Sequence, residues 1–179
     1  MFYGGFNTNI DRAKPVAAPA VLLSTLGVVI TAGITGVFAH FALGFDWIGG
    51  LLLGSVVAST DAASVFSVLR EHSLSLRGGT DSLLEVESGS NDPVAYMLTA
   101  VLATLAAGGD INIPALLAKQ IILGVGLGLA IGWAAGRLIE RAHATAKDAQ
   151  TIFLFAVAIV AYALPSYLGG NGFLAVYLA

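Results

Sequence analysis

Residues 82–99 read Ser-Leu-Leu-Glu-Val-Glu-Ser-Gly-Ser-Asn-Asp-Pro-Val-Ala-Tyr-Met-Leu-Thr. The stretch opens an apolar run that continues to Ala107, yet it carries Glu85, Glu87 and Asp92. On an α-helix, Glu85, Ser88 and Asp92 fall at i, i+3 and i+7 and share one face. Glu87 points well away from that face, with Asn91 one turn beyond it. Pro93 has no N–H and crowds the carbonyl of Gly89, so it frees backbone acceptors beside the Asp92 carboxylate. In water these acids would make an ordinary polar entry turn. In lipid they would make a site.

Composition decides between the two solvents. The 179-residue chain is 57% hydrophobic and only 11% charged, with a mean hydropathy of +0.87. A soluble domain averages about 25% charged residues, so the chain reads as a membrane protein. A net charge of −3 from so few charges says nothing about nucleic acid, and without any basic run to suggest one no nucleic-acid partner is expected. Zero cysteines exclude disulfides and cysteine-ligated metal. His40, His72 and His143 are too far apart to form a transition-metal motif, and no cofactor is expected.

Five long apolar segments follow a short polar opening: about 16–43, 47–69, 83–107, 116–139 and 151–168. Each approaches or exceeds the ~20 residues that cross ~30 Å of hydrocarbon. A break at Gly169–Gly172 precedes the start of a further segment at 173–179. The fold class expected is an all-α polytopic membrane protein, one transmembrane domain over 1–179, and a middle portion of a longer chain. Arg12, Lys14, Arg70, Arg77, Arg137, Arg141 and Lys147 fall on one side of these segments. Only Lys119 falls on the other. Basic loops stay in the cytoplasm. Cysteines placed at His72 and Thr145 are therefore expected to react only with cytoplasmic label, and one at Asp110 only from outside. Cytoplasmic labelling at position 110 would reverse the orientation.

Small residues recur every fourth position in two segments: Gly50, Gly54, Ala58, Ala62 and Gly124, Gly128, Gly132, Gly136. Such stripes let helix backbones approach closely in lipid, and tight packing is a sufficient explanation of both. The acids need more. Asp61 lies nine residues before Arg70, and Asp92 ten residues after Ser82. At 1.5 Å per residue both sit roughly 13–15 Å deep, near mid-bilayer. An isolated charge there costs at least ~2.5–3.5 kcal/mol, so protonation, pairing, or contact with water and an ion must accommodate them. Ser82-x-x-Glu85 fits a capping box, which leaves Glu85 open between a helix-start device and part of an entry funnel. Glu87 has no cation at matching depth among the five segments. Ser59 and Thr60 either back-bond to their helix or, at Thr60, mark an unwinding that exposes carbonyls. Ser88, one turn before Asp92, can hold its carboxylate or offer a neutral oxygen to a cation.

Two blocks, Ser59-Thr-Asp-Ala-Ala-Ser-Val-Phe-Ser-Val-Leu-Arg70 and Leu84-Glu-Val-Glu-Ser-Gly-Ser-Asn-Asp-Pro93, resemble the monovalent cation/proton antiporter-1 family. Their separation fits as well, and the resemblance runs to the closing Asn171-Gly-Phe-Leu-Ala-Val-Tyr177. It is nearest to the NhaP-type potassium/proton antiporters of bacterial inner membranes. It implies part of an inverted-repeat antiporter fold with discontinuous helices, in a multi-pass plasma-membrane protein that is no enzyme and forms a homodimer in the lipid bilayer. It further implies that Thr60-Asp61 marks a helix unwound at mid-membrane, and that Asn91-Asp92 is the ion-site pair. Asp92 would then be the carboxylate that takes either H⁺ or a monovalent cation. Ser88 would supply a side-chain ligand, Thr60 a backbone ligand, and Glu87 an acid paired with an arginine of a later helix.

The mechanism implied is exchange by competition. A carboxylate reached from one side at a time holds H⁺ or a cation, never both, so one site couples the two gradients. Freed carbonyls at broken helices supply further oxygens. Asn91 is neutral, which leaves one titrating acid in the pair, and the resemblance, through the family's relation between Asn-Asp and electroneutral exchange, implies one cation per proton. K⁺ is the favoured cation by resemblance, with Na⁺ the alternative. Two other classes compete. An intramembrane aspartyl protease also pairs two aspartates, but it calls for Gly-x-Gly-Asp where this chain has Gly89-Ser90-Asn91-Asp92. A cation channel needs no proton chemistry at aspartate. Proton release driven by added K⁺ or Na⁺ separates an antiporter from both.

Overall fold

The computed structural model describes residues 2, 5, 10–61, 68, 76, 79–109, 112–141 and 147–179. Most of these residues are helical, and no strand occurs among them. The loop positions 72, 110 and 145 lie outside the described residues, as do Arg70, Arg77 and Ala62. The chain divides into two compact units, residues 7–112 and residues 113–179 with the first six residues.

In the first unit a short turn of helix, Ile10–Ala13, and a 3-10 turn, Lys14–Val16, lead into α1, Ala17–Leu43. Ala20, Ser24, Val28, Ala32, Gly36 and Ala39 form its buried stripe. Large apolar residues elsewhere on α1 face outward, among them Leu22 at 60% and Phe38 at 61% exposure. That is the reverse of a water-soluble helix, where such residues seek a core. Gly44, at φ 74°, stops α1 in the left-handed conformation, which costs glycine little. Asp46 then caps α2, Trp47–Val57, by accepting from the Gly49 N–H at 3.2 Å. A Cβ on Gly54 would stand 2.3 Å from the Ala32 carbonyl oxygen, and one on Gly50 2.8 Å from that of Gly36. The small-residue stripe of α2 thus seats it against the backbone of α1.

The second segment departs from a single helix over 47–69. Its helix ends at Val57, Ala58 forms a turn, and Ser59, Thr60 and Asp61 are non-helical. Residues 62–67 lie outside the described set. α3 spans Thr80–Ala106 and continues through Pro93. It begins at Gly79, which sits at φ 76° with no side-chain cap. Ser82 therefore lies inside the first turn, buried, and cannot cap the helix. This removes the capping-box reading of Ser82 and Glu85. Val28 and Ala32 of α1, Ala58, and Ala95 of α3 form the core of the unit, with Val94 and Leu98 packed on it.

In the second unit α4, Ile113–Arg141, is followed by α5, Lys147–Tyr167, and α6, Gly172–Leu178. Asn171 is fully buried and organises the break between the last two. Its N–H donates to the Gln120 carbonyl at 3.1 Å, and its Oδ1 accepts from the Leu174 N–H at 3.0 Å. The second glycine stripe receives α6. A Cβ on Gly124, Gly128 or Gly132 would come within 2.9, 2.7 and 2.4 Å of the carbonyl oxygens of Asn171, Ala175 and Ala179. Gly136 continues the stripe, but a Cβ there would meet nothing within 4 Å among the described residues.

Among the described residues three helices are long and apolar enough to cross a membrane: Asp11–Leu43, Ile113–Arg141 and Gln150–Tyr167. α3 matches α1 in length, at 27 residues each, but carries Glu85, Glu87 and Asp92 within its span. α2 is an 11-residue apolar helix that stops short.

Candidate functional site

The site lies in the first unit, where the end of α2 meets the middle of α3. Side chains join the two along one antiparallel seam. At one end Ser55, fully buried, meets Thr99 through their hydroxyls at 2.9 Å. Further along, Ser59 donates to Oδ1 of Asp92. Beyond it the Thr60 carbonyl accepts from Nδ2 of Asn91 at 2.9 Å and from the Ser88 hydroxyl at 3.3 Å. The Thr60 hydroxyl accepts from the same Asn91 amide at 2.6 Å.

These contacts give the physical reason for the break in α2. In a continuous helix the Thr60 carbonyl would accept from residue 64. α3 supplies donors to this carbonyl, and Asn91 does so from a position only 1% exposed. Broken backbone at membrane depth needs such internal partners, because lipid provides none. Thr60 is non-helical, and both its carbonyl and its hydroxyl accept from α3.

The arrangement gathers oxygens. The Asp92 carboxylate is half-buried, with the Ser88 hydroxyl one turn before it and the Thr60 carbonyl across the seam. Asn91 Oδ1 is buried and has no hydrogen-bond partner among the described residues. Asp92, Ser88, Thr60 and Asn91 are thus brought together. Asp61 follows Thr60 at the exposed end of the non-helical stretch. Glu85 and Glu87 are half-buried on α3, and Glu87 shares a side-chain hydrogen bond with Asn91 one turn on. Among the described residues no group of three or more His, Cys, Asp or Glu side chains could hold a metal ion. The chemistry available is one carboxylate among neutral oxygens, which suits a weakly held monovalent ion or a proton.

Sequence reasoning left Ser59 as a residue that back-bonds to its own helix. The available signal was its spacing from Ser55, four positions earlier, which puts two hydroxyls on the face turned to α3.

Helical throughout its regular elements, with helices of membrane length among the described residues, the chain is an all-α polytopic membrane protein. The sodium/hydrogen exchanger transmembrane model matches residues 1–179, and the chain belongs to that family. It is 42% identical to the K(+)/H(+) antiporter NhaP of Alkalimonas amylolytica over 184 residues, covering 99% of this chain and 31% of that protein. It is 41% identical to the K(+)/H(+) antiporter NhaP2 of Shewanella oneidensis, covering 98% and 31%. It is 27% identical to the Na(+)/H(+) antiporter NhaS2 of Synechocystis, covering 100% and 33%. The chain thus spans about a third of the length of these relatives. With its apolar helices and bacterial relatives, it is a multi-pass plasma-membrane protein, in a family of transporters and not of enzymes.

Proposed function

We propose that the protein exchanges a monovalent cation for protons across the membrane, with both competing for Asp92. The observation that carries this reading is the Thr60 carbonyl. It lies past the end of α2 and meets Ser88 and Asn91 beside the one carboxylate of the seam. A cation there would take charge from Asp92 and neutral oxygens from Ser88 and Thr60. Asp61 would serve the geometry of the break, and Glu87, beside Asn91, would brace α3 through a cation elsewhere in the protein. The exchange would be one for one, in a homodimer embedded in the bilayer.

K⁺ is the cation favoured, since two relatives at 41–42% identity are named K(+)/H(+) antiporters. A relative at 27% is named for Na⁺, which makes Na⁺ the second reading. Proton release from vesicles holding the whole protein, driven by K⁺ or Na⁺ pulses, tests the activity and ranks the ions.

Ser88→Ala removes one neutral oxygen and leaves the carboxylate. It is expected to raise the cation concentration for half-maximal exchange about three- to tenfold, the equivalent of one hydrogen-bond-sized contact. Maximal exchange should be retained. An unchanged half-maximal concentration would remove Ser88 from the cation's ligands.

A further inference from the structure

Asp92 is held by a residue that is not among the proposed cation ligands. Ser59 is the second residue after α2 ends, and its hydroxyl donates to Oδ1 of Asp92. Two features keep Ser59 in place. Four residues earlier Ser55 is fully buried and anchored to α3 through Thr99 and to its own helix through the Leu52 carbonyl, at 2.9 and 2.8 Å. One residue later Thr60 is clamped by Asn91 through both its carbonyl and its hydroxyl. Ser59 is thus suspended between two fixed points, facing α3.

We propose that Ser59 is a positioning residue for cation capture, one that fixes the Asp92 carboxylate before the ion arrives. An aspartate without this donor turns about two side-chain dihedrals. Its oxygens then converge with Ser88 and the Thr60 carbonyl only part of the time. With Oδ1 tied to Ser59, the carboxylate is held towards the seam, where the neutral oxygens already lie. Its lost rotamer freedom is supplied by the fold, so less ordering is left for binding. The hydroxyl's lone pairs stay available while its proton is donated, so the contact need not break when a cation sits on the carboxylate.

This inference rests on the reading of Asp92 as the cation site and adds a determinant of apparent affinity. The test is exchange against K⁺ concentration at fixed pH, in proteoliposomes of the whole protein. Thr and Val have nearly the same shape but differ in the hydroxyl, so the decisive pair is Ser59→Thr and Ser59→Val. Ser59→Thr should keep the wild-type half-maximal K⁺ concentration. Ser59→Val should raise it about three- to tenfold with maximal exchange within about twofold of wild type, the fold-change that follows from losing one charge-assisted hydrogen bond. Ser59→Ala should behave as Ser59→Val does, at smaller volume. Equal half-maximal concentrations for Thr and Val would overturn the proposal. So would a fall in maximal exchange alone, which would mark Ser59 as a packing residue. Asp92→Asn in the same assay separates the two levels. If that variant is inactive while Thr and Val are equal, only the role of Ser59 falls. If it exchanges normally, the site itself lies elsewhere.

Discussion

Asp92→Asn is expected to abolish exchange in the whole protein while leaving its expression and fold intact. The amide cannot release a proton, and it cannot neutralise a cation. A cation left without its counter-charge in a partly buried site loses on the order of 3–5 kcal/mol, more than a hundredfold in occupancy. The fold should survive because the amide oxygen still accepts from Ser59, and the Asn91–Thr60 and Ser88–Thr60 contacts do not involve Asp92. Asp92→Glu should keep part of the activity, since the acid persists but its oxygens move by one methylene. Vesicle exchange measured across pH for both variants checks this. Wild-type rates in Asp92→Asn would sink the mechanism.

The second large effect concerns packing. Gly54→Ala places a Cβ 2.3 Å from the Ala32 carbonyl oxygen and 3.0 Å from its carbonyl carbon and Cα, so the obstacle is backbone and cannot rotate away. Forcing the helices apart should cost about 2–3 kcal/mol and lower the melting temperature in detergent by roughly 5–10 °C. Exchange should fall as well, because α2 carries Ser59 and Thr60 on its end. Gly27→Ala on α1 is the control. Its Cβ meets nothing within 4 Å among the described residues, and relief of glycine's helix cost should leave stability equal or slightly higher. Melting curves in which the two variants match would show that α1 and α2 do not pack as described.

The two results bear on how much was legible beforehand. Hydropathy and the fourfold glycine spacing are properties of long stretches, so the all-α membrane class and the close-packed stripes could be read directly. The partner of the Gly124–Gly132 stripe could not, because nothing in α4 points to a seven-residue helix fifty positions on. The acids of residues 82–99 were conspicuous because charge is rare at that depth. The stop of α2 was legible only as an alternative: Ser59, Thr60 and Asp61 interrupt the apolar run, and the residues left Thr60 open between back-bonding and unwinding. Past the helix end Thr60 meets donors from α3, tertiary partners that residues 58–61 do not name by themselves. Ser82 misled for the opposite reason. Its local pattern is a good cap, but Gly79 starts the helix three residues earlier and uses no side chain to do so. Ser59 was passed over because a serine in an apolar run has a local partner by default, and only the seam shows that it has a distant one.

The stop of α2 at Val57 also has an electrical side. Peptide dipoles aligned along a helix sum to roughly half a negative charge at its C-terminal end. α2 directs that end at Ser59 and Thr60, inside a region where lipid screens little. A cation approaching the Thr60 carbonyl would meet this field in addition to Asp92. Unlike a carboxylate, the field does not titrate. Acid can neutralise Asp92, but it leaves the pull of the eleven-residue helix in place. Protonation would thus weaken the site's hold on cations without turning its potential positive, and a returning ion would find the same standing attraction at every pH.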